Sequence, residues 1–544
     1  MPLIVASFAT PFIIRFLFPG ISFDVGIAVI IFTTIFVSVY PFSVYSRKKV
    51  NTNRYLHLFI TYAGTISTLH ISRGLLFRKI AEKSIFGEIS NLSNKIVYLS
   101  RKWNLGFAAT CRKVGQISPS KIFADFLDRF AVMMDFGENI ETFLMDEQEQ
   151  IMNEYSTQYN KSLEKIKTLQ EIFLSVSVAF AFGFTIALIM PLVIDVKIET
   201  LLRIFLIGVF GLDVFMLVLI TSIIPADNIS HNLPYKSREQ KIIRKLVFPV
   251  TLLCIIIMFA LIKLGVSPLL LDIAISLSPM FIVGYFAKKE ENLIRSRDAE
   301  FPVFIRTLGS TIEIKNRAIL TALHSLHVHD FGPLNNMKKN LYRRLRTGCD
   351  KFQSWMYFAA ETGSNLINHF TTIFSEAFYL GGNAEKIGEI ISENFLKLLS
   401  LRKFREQLVS SFRTTIFGSL VGFAAVTYIA VFITQTLSDI FQGYTPENME
   451  QTGMLSGTLS SVMPSAINID FTKVSVYIAL IIVLHAFIGA VMIQIIEGNS
   501  PYTIVVNFLI MIWIGVIISV FVPEVLAKVL PDISNVATGV NPPS

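Results

Sequence analysis

The chain has 544 residues, of which 52% are hydrophobic and only 16% charged, with a formal net charge of +8 and a mean hydropathy of +0.57. A soluble protein of ordinary composition carries roughly 25% charged residues, so this balance excludes a soluble globular protein and points to a polytopic membrane protein. Three cysteines, Cys111, Cys254 and Cys349, stand far apart and outside any CxxC pair, which supports neither a disulfide framework nor a zinc site.

Apolar runs of about 17–25 residues match the ~30 Å of hydrocarbon that a helix must cross. Residues 1–45 hold two such runs, 3–19 and 24–45. The first is interrupted by Pro11 and Arg15, and its start, "MPLIVASF", lacks the basic region of a signal peptide. A polar segment, 46–169, follows. Residues 170–287 then carry four spans, at 170–194, 201–224, 245–264 and 268–287, with a basic loop at 225–245. A second polar segment fills 288–410. Three spans at 411–435, 473–497 and 503–523 enclose an acidic loop, 436–472, and a tail covers 524–544. That makes nine spans.

Positive loops stay on the cytoplasmic side, most reliably when short. The loop 225–245 carries Lys236, Arg238, Lys241, Arg244 and Lys245, and each large polar segment has 18 Lys and Arg. The loop 436–472 has none. This alternation places the N-terminus and both polar segments in the cytoplasm, and the C-terminus outside the cell membrane.

The two polar segments repeat. "FITYAGT" (Phe59–Thr65) matches "FIRTLGS" (Phe304–Ser310), pairing Gly64 with Gly309. "FGEISNL" matches "FGPLNNM", pairing Gly87 with Gly332, and "FGENIET" matches "GGNAEKI", pairing Gly137 with Gly382. All three pairs lie 245 residues apart, the signature of a duplication. Met152, Tyr155, Tyr159, Leu163 and Ile166 recur at helical spacing, as do Ile387, Ile391, Phe395, Leu398 and Leu399. Each segment is thus expected to be a small all-α bundle whose last helix runs on into the membrane. Gly64, Gly137, Gly309 and Gly382 are expected at turns, where glycine takes positive φ without a Cβ clash.

Reactive constellations are missing. The chain has no GxxxxGK[ST], GxSxG or HExxH pattern. The nearest approach to a metal site, His324, His327, His329 and Asp330, has Lys79, Glu82, Ser84 and Ile85 in the other copy, and reads as solvated loop histidines. No catalytic residue, cofactor or metal is expected. Asp213, Asp272 and His485 fall within or near spans, where ionisable groups often mark ion pathways. A secondary transporter using Asp213 and Asp272 is therefore the alternative of another class, although the three groups have no evident partners at matching depth.

Two basic stretches occupy the same part of each repeat. One holds Arg101, Lys102, Arg112 and Lys113, and the other Lys338, Lys339, Arg343, Arg344 and Arg346. They serve either as attraction to anionic headgroups or as an electrostatic dock for an acidic partner. Nucleic acid is not expected, because no recognition motif accompanies the charge.

A duplicated cytoplasmic all-α unit, each copy followed by membrane helices, resembles the type II secretion F-domain platform family. "NTNRYLHLFITYAGTIST" (Asn51–Thr68), "KWNLGFAATCRKVGQISPSKIFADFLDRF" (Lys102–Phe130) and "DEQEQIMNEYSTQY" (Asp146–Tyr159) resemble its archaellum (archaeal flagellum) branch. Adhesion-pilus and type II secretion platforms share the architecture. The resemblance implies a non-catalytic assembly platform that binds a cytoplasmic hexameric secretion ATPase, filament subunits (archaellins or pilins) and other motor components. A homo-oligomer, most simply a dimer, is expected.

Overall fold

The computed structural model describes residues 48–529 except 51, 70–72, 193, 195, 197, 226, 265–267, 444–469 and 499. The expected spans at 3–19 and 24–45, most of the acidic loop, and the tail beyond residue 529 lie outside the described residues.

Every regular element among these residues is helical, as an all-α polytopic protein requires. The first bundle is built from α1 (Leu56–Ser67), α2 (Arg73–Ala81), α3 (Glu88–Lys102), α4 (Phe107–Gln116) and α5 (Lys121–Phe136). It ends in α6 (Ile140–Ile189), which continues past the bundle without a break. Next come α7 (Ile198–Ile223), α8 (Arg238–Leu264), α9 (Leu269–Leu277) and α10 (Phe281–Ile314). The second bundle takes the C-terminal part of α10 and adds α11 (Ile319–Ser325), α12 (Asn335–Arg346), α13 (Lys351–Thr362) and α14 (Asn365–Tyr379). Finally α15 (Ala384–Gly443), α16 (Phe471–Glu497) and α17 (Ile504–Val529) complete the described chain. Among the described residues, seven helical stretches are long and apolar enough to cross a membrane. They coincide one for one with the expected spans from 170 onward.

The duplication is visible helix by helix, with a change of register. Gly87 and Gly332, 245 apart, both take positive φ, at 55° and 50°. From the fourth helix of each bundle the offset falls to 244. The capping pairs are Ser120 with Ser364 and Asn139 with Asn383; each side chain accepts a hydrogen bond from a backbone N–H of its helix's first turn. The left-handed glycine after α5 is Gly137 (φ 73°), and after α14 it is Gly381 (φ 103°). The expected Gly137–Gly382 pairing is therefore off by one. Gly382 instead packs tightly, because a Cβ there would lie 2.7 Å from Ile387 Cδ1 and 2.9 Å from the Ala377 carbonyl.

Gly64 and Gly309 are not turns. Both lie inside helices, at crossings: α1 over α6, and α10 over α15. A Cβ on Gly309 would stand 2.4 Å from the Ala384 carbonyl oxygen, and one on Gly64 2.5 Å from Gln148 Oε1. The missing side chain admits the neighbouring helix, and no special φ is involved.

Phenylalanines fill matching places in the two cores. Phe59, Phe86, Phe126 and Phe130 recur as Phe304, Phe331, Phe370 and Phe374, all buried. Phe59 meets Phe126 edge-on at 5.2 Å, and Phe304 meets Phe331 at 5.4 Å. Burying each contributes about 1.5–3 kcal/mol.

At 1.5 Å per residue, the 50 residues of α6 and the 60 of α15 make rods of roughly 75 and 90 Å. About 30 Å of each suffices to cross a bilayer; the rest stands outside it. The two rods lie side by side and parallel, with like positions touching. Lys386 Nζ reaches Glu141 at 3.2 Å, Lys397 Nζ reaches Asn153 Oδ1 at 3.5 Å, and Gln170 Nε2 donates to Thr415 Oγ1 at 2.5 Å. Contacts between residues 244–245 apart all along two helices place a pseudo-twofold axis along the pair.

Candidate functional site

The basic residues expected to dock a partner lie mostly on the outer faces of the bundles. Arg101 and Lys102 end α3, and Arg112 and Lys113 lie on α4; all four are exposed. Lys113 Nζ stands 6.0 Å over the ring of Trp103, itself 63% exposed, while Arg112 pairs with Asp135. On α12, Lys339, Arg343 and Arg346 are exposed. Arg344 is half-buried, held between Glu361 and the face of Tyr357, 5.2 Å away. Arg346 and Lys102 end corresponding helices, so the duplication places a basic surface at the same point of each bundle.

Lys338 does not belong to this surface. It falls on the apolar stripe set by Leu334 and Leu341, and only 3% of it is exposed. Its ammonium donates to the carbonyls of Leu326 and His329 at 2.9 and 2.8 Å and lies 4.8 Å from the Phe331 ring centroid. Burial lowers its pKa. Its role is to close the turn before α12.

His324, His327 and His329 are exposed, with His324 against Tyr342 and His329 against Phe331. Asp330 accepts hydrogen bonds from Gly332 N–H and Asn335 and so helps start α12. Among the described residues, no three His, Cys, Asp or Glu side chains group as metal ligands would.

Where the bundles meet the membrane helices, the structure assembles a polar hub that the sequence reading missed. Arg402 of α15 grips Asp227, in the loop between α7 and α8, with two hydrogen bonds of 2.7 Å. It also reaches Asp298 of α10 at 2.8 Å. One turn on, Arg405 donates to the carbonyls of Pro225, Ile495 and Ile496 and to the Tyr159 hydroxyl. Burial pushes the Asp227 carboxyl up, but the Arg402 guanidinium overrides it and holds the group below the usual carboxylate range. At Asp298, burial wins over Arg402, and the carboxyl is pushed up to about 6. The same loop is pinned by backbone bonds from Ile229 to Gly498 and from His231 to Gly363. Thus α15, α10, the α7–α8 loop and the α16–α17 turn are joined at one level.

Inside the membrane helices, Asp213 and His485 are partners rather than scattered groups. Helices α7 and α16 run parallel, and His485 Nδ1 lies 2.9 Å from Asp213 Oδ2, with both side chains buried. Phe173 stacks on the imidazole at 5.9 Å. Asp272 is also buried, and its Oδ1 has no hydrogen-bond partner.

Two curated proteins are similar to this chain along nearly its whole length. Flagella accessory protein J of Methanocaldococcus jannaschii is 29% identical over 541 residues, covering 97% of this chain and 94% of that protein. Flagella accessory protein J of Methanococcus voltae is 28% identical over 501 residues, covering 90% and 88%. No protein-family model and no solved structure matches the chain.

Proposed function

We propose, on the premise that the archaellum kinship read from the sequence runs the length of the chain, that this protein is the membrane-embedded platform of the archaellum. It docks a cytoplasmic hexameric secretion ATPase on the exposed basic surfaces of its two bundles and passes ATP-driven movement along α6 and α15 to filament subunits in the bilayer. The platform is itself non-catalytic and works without a cofactor. Its N-terminus and both bundles face the cytoplasm, in keeping with the basic loop 225–245. A second copy of the chain completes the machine as a dimer.

The observation that carries this reading is mechanical. Each bundle is continuous with one unbroken rod, and the two rods touch at like positions. A force on either bundle reaches the membrane without crossing a loop. The test is binding of the purified chain, in nanodiscs, to the secretion-type ATPase of its own organism across a salt series. Affinity that falls as salt rises supports docking through exposed charge. No binding at low salt, with both proteins folded, defeats the reading and makes solute flux in liposomes the next measurement.

A further inference from the structure

A cavity of about 210 Å³ lies beside the polar hub, between the two bundles and the α7–α8 loop. Its walls include Arg54 and His57 from the start of the first bundle, Tyr155 of α6, Asn228 of the loop, and Asn365 and His369 of α14. The Nδ1 atoms of His57 and His369 are both buried, and neither has a hydrogen-bond partner. Arg54 rests against the Tyr55 ring at 5.4 Å and has no carboxylate partner among the described residues. One carboxylate lines the wall, Asp227, and Arg402 engages both of its oxygens.

Arg402 is engaged by Asp227 and by Asp298, which leaves Arg54 as the guanidinium on this wall with no carboxylate beside it among the described residues. Burial pushes His57 down to about 3 and His369 down to about 4, so both rings are neutral, each with one N–H donor and one acceptor nitrogen. The volume admits a tetrahedral anion with a few waters and falls below the 300–1,000 Å³ typical of pockets for larger organic ligands.

We propose that this cavity binds a small tetrahedral oxyanion of the phosphate class, held by Arg54, His57 and His369, and that the bound anion ties the two bundles to the α7–α8 loop. The anion is either free phosphate or the phosphate of a lipid headgroup, since the hub lies where bundle meets membrane helix.

The test uses the full-length protein in neutral detergent. Thermal unfolding is followed in inorganic phosphate, in chloride of equal ionic strength, and in micelles doped with an anionic phospholipid; equilibrium dialysis with labelled phosphate gives stoichiometry. The expected result is a rise in Tm of several degrees in phosphate, absent in chloride, with one phosphate bound per chain. Arg54→Gln should bind at least tenfold more weakly while keeping the parent's Tm in chloride. A rise with phospholipid alone, equally abolished by Arg54→Gln, identifies the headgroup as the source. Equal responses to phosphate and chloride with no lipid effect overturn the proposal and leave a water-filled cavity. So does an Arg54→Gln variant that responds as the parent does. Should His57→Gln or His369→Gln fail to fold, Arg54→Gln still decides, because no ion pair is broken in making it.

Discussion

Alanine at Gly309 and alanine at Gly64 should have opposite effects, although the two glycines hold the same place in the duplication. At Gly309 the new Cβ would lie 2.4 Å from the Ala384 carbonyl oxygen and 3.2 Å from the Gly388 Cα, both backbone atoms of α15. Backbone cannot step aside, so α10 and α15 must part by roughly 1 Å, and a gap of that size forfeits a quarter to a half of each contact it opens. Overpacking of this kind costs about 1–3 kcal/mol, against which alanine's better helix propensity returns up to about 1 kcal/mol. At Gly64 the obstacle is Gln148 Oε1 at 2.5 Å, the end of a flexible side chain with no hydrogen-bond partner. It can swing away, leaving the propensity gain. Gly309→Ala should therefore lower Tm, by roughly 2–4 °C per kcal/mol for a cooperative block of 150–250 residues, and Gly64→Ala should leave it unchanged or raise it. Intrinsic fluorescence is a suitable readout, since Trp355 is buried in the second bundle. Equal shifts for the two variants would refute the distinction between a backbone and a side-chain obstacle.

Arg402→Ala should destabilise by about 3–5 kcal/mol, because it leaves the buried Asp298 and the half-buried Asp227 without their cation; adding Asp227→Asn should restore part of the lost Tm. Lys338→Glu should unfold the second bundle, as it buries a carboxylate between two carbonyls, whereas Lys339→Glu next door should leave stability within about 0.5 kcal/mol of the parent. Within the membrane helices, a double-mutant cycle of Asp213→Leu and His485→Leu should give a coupling of about 0.6–1.7 kcal/mol in detergent unfolding; additive effects would deny the pair.

The spans were legible because hydropathy is a local property, and the seven described ones fall where the apolar runs lie. The duplication was legible through its glycines, but their roles were not. An isolated glycine reads equally as a turn or as a close approach, and only the neighbour's position decides; Gly64 and Gly309 face helices that begin 76 and 75 residues later. The one-residue change of register escaped because the adjacent glycines Gly381 and Gly382 fit either alignment. The recurrence of Phe126 and Phe130 as Phe370 and Phe374 carries the signal that settles it.

Among charged residues, sequence order misled in a consistent way. Arg402 and Arg405 count as positive charge near a span, yet the partners of Arg402 lie 104 and 175 residues away. Lys338 counts as surface charge until its place on the Leu334–Leu341 stripe is weighed. Asp213 and His485, 272 residues apart, meet because α7 and α16 are parallel neighbours.

The most direct test of the platform reading is ATPase binding by charge-reversal variants of each bundle. The pair Arg101→Glu and Lys102→Glu alters the first surface, and the pair Arg343→Glu and Arg346→Glu the second; all four side chains are exposed, so folding should be spared. The account predicts weaker binding from either pair, near-complete loss from both together, and unchanged membrane insertion and Tm. Full affinity in the fourfold variant at low salt would contradict it.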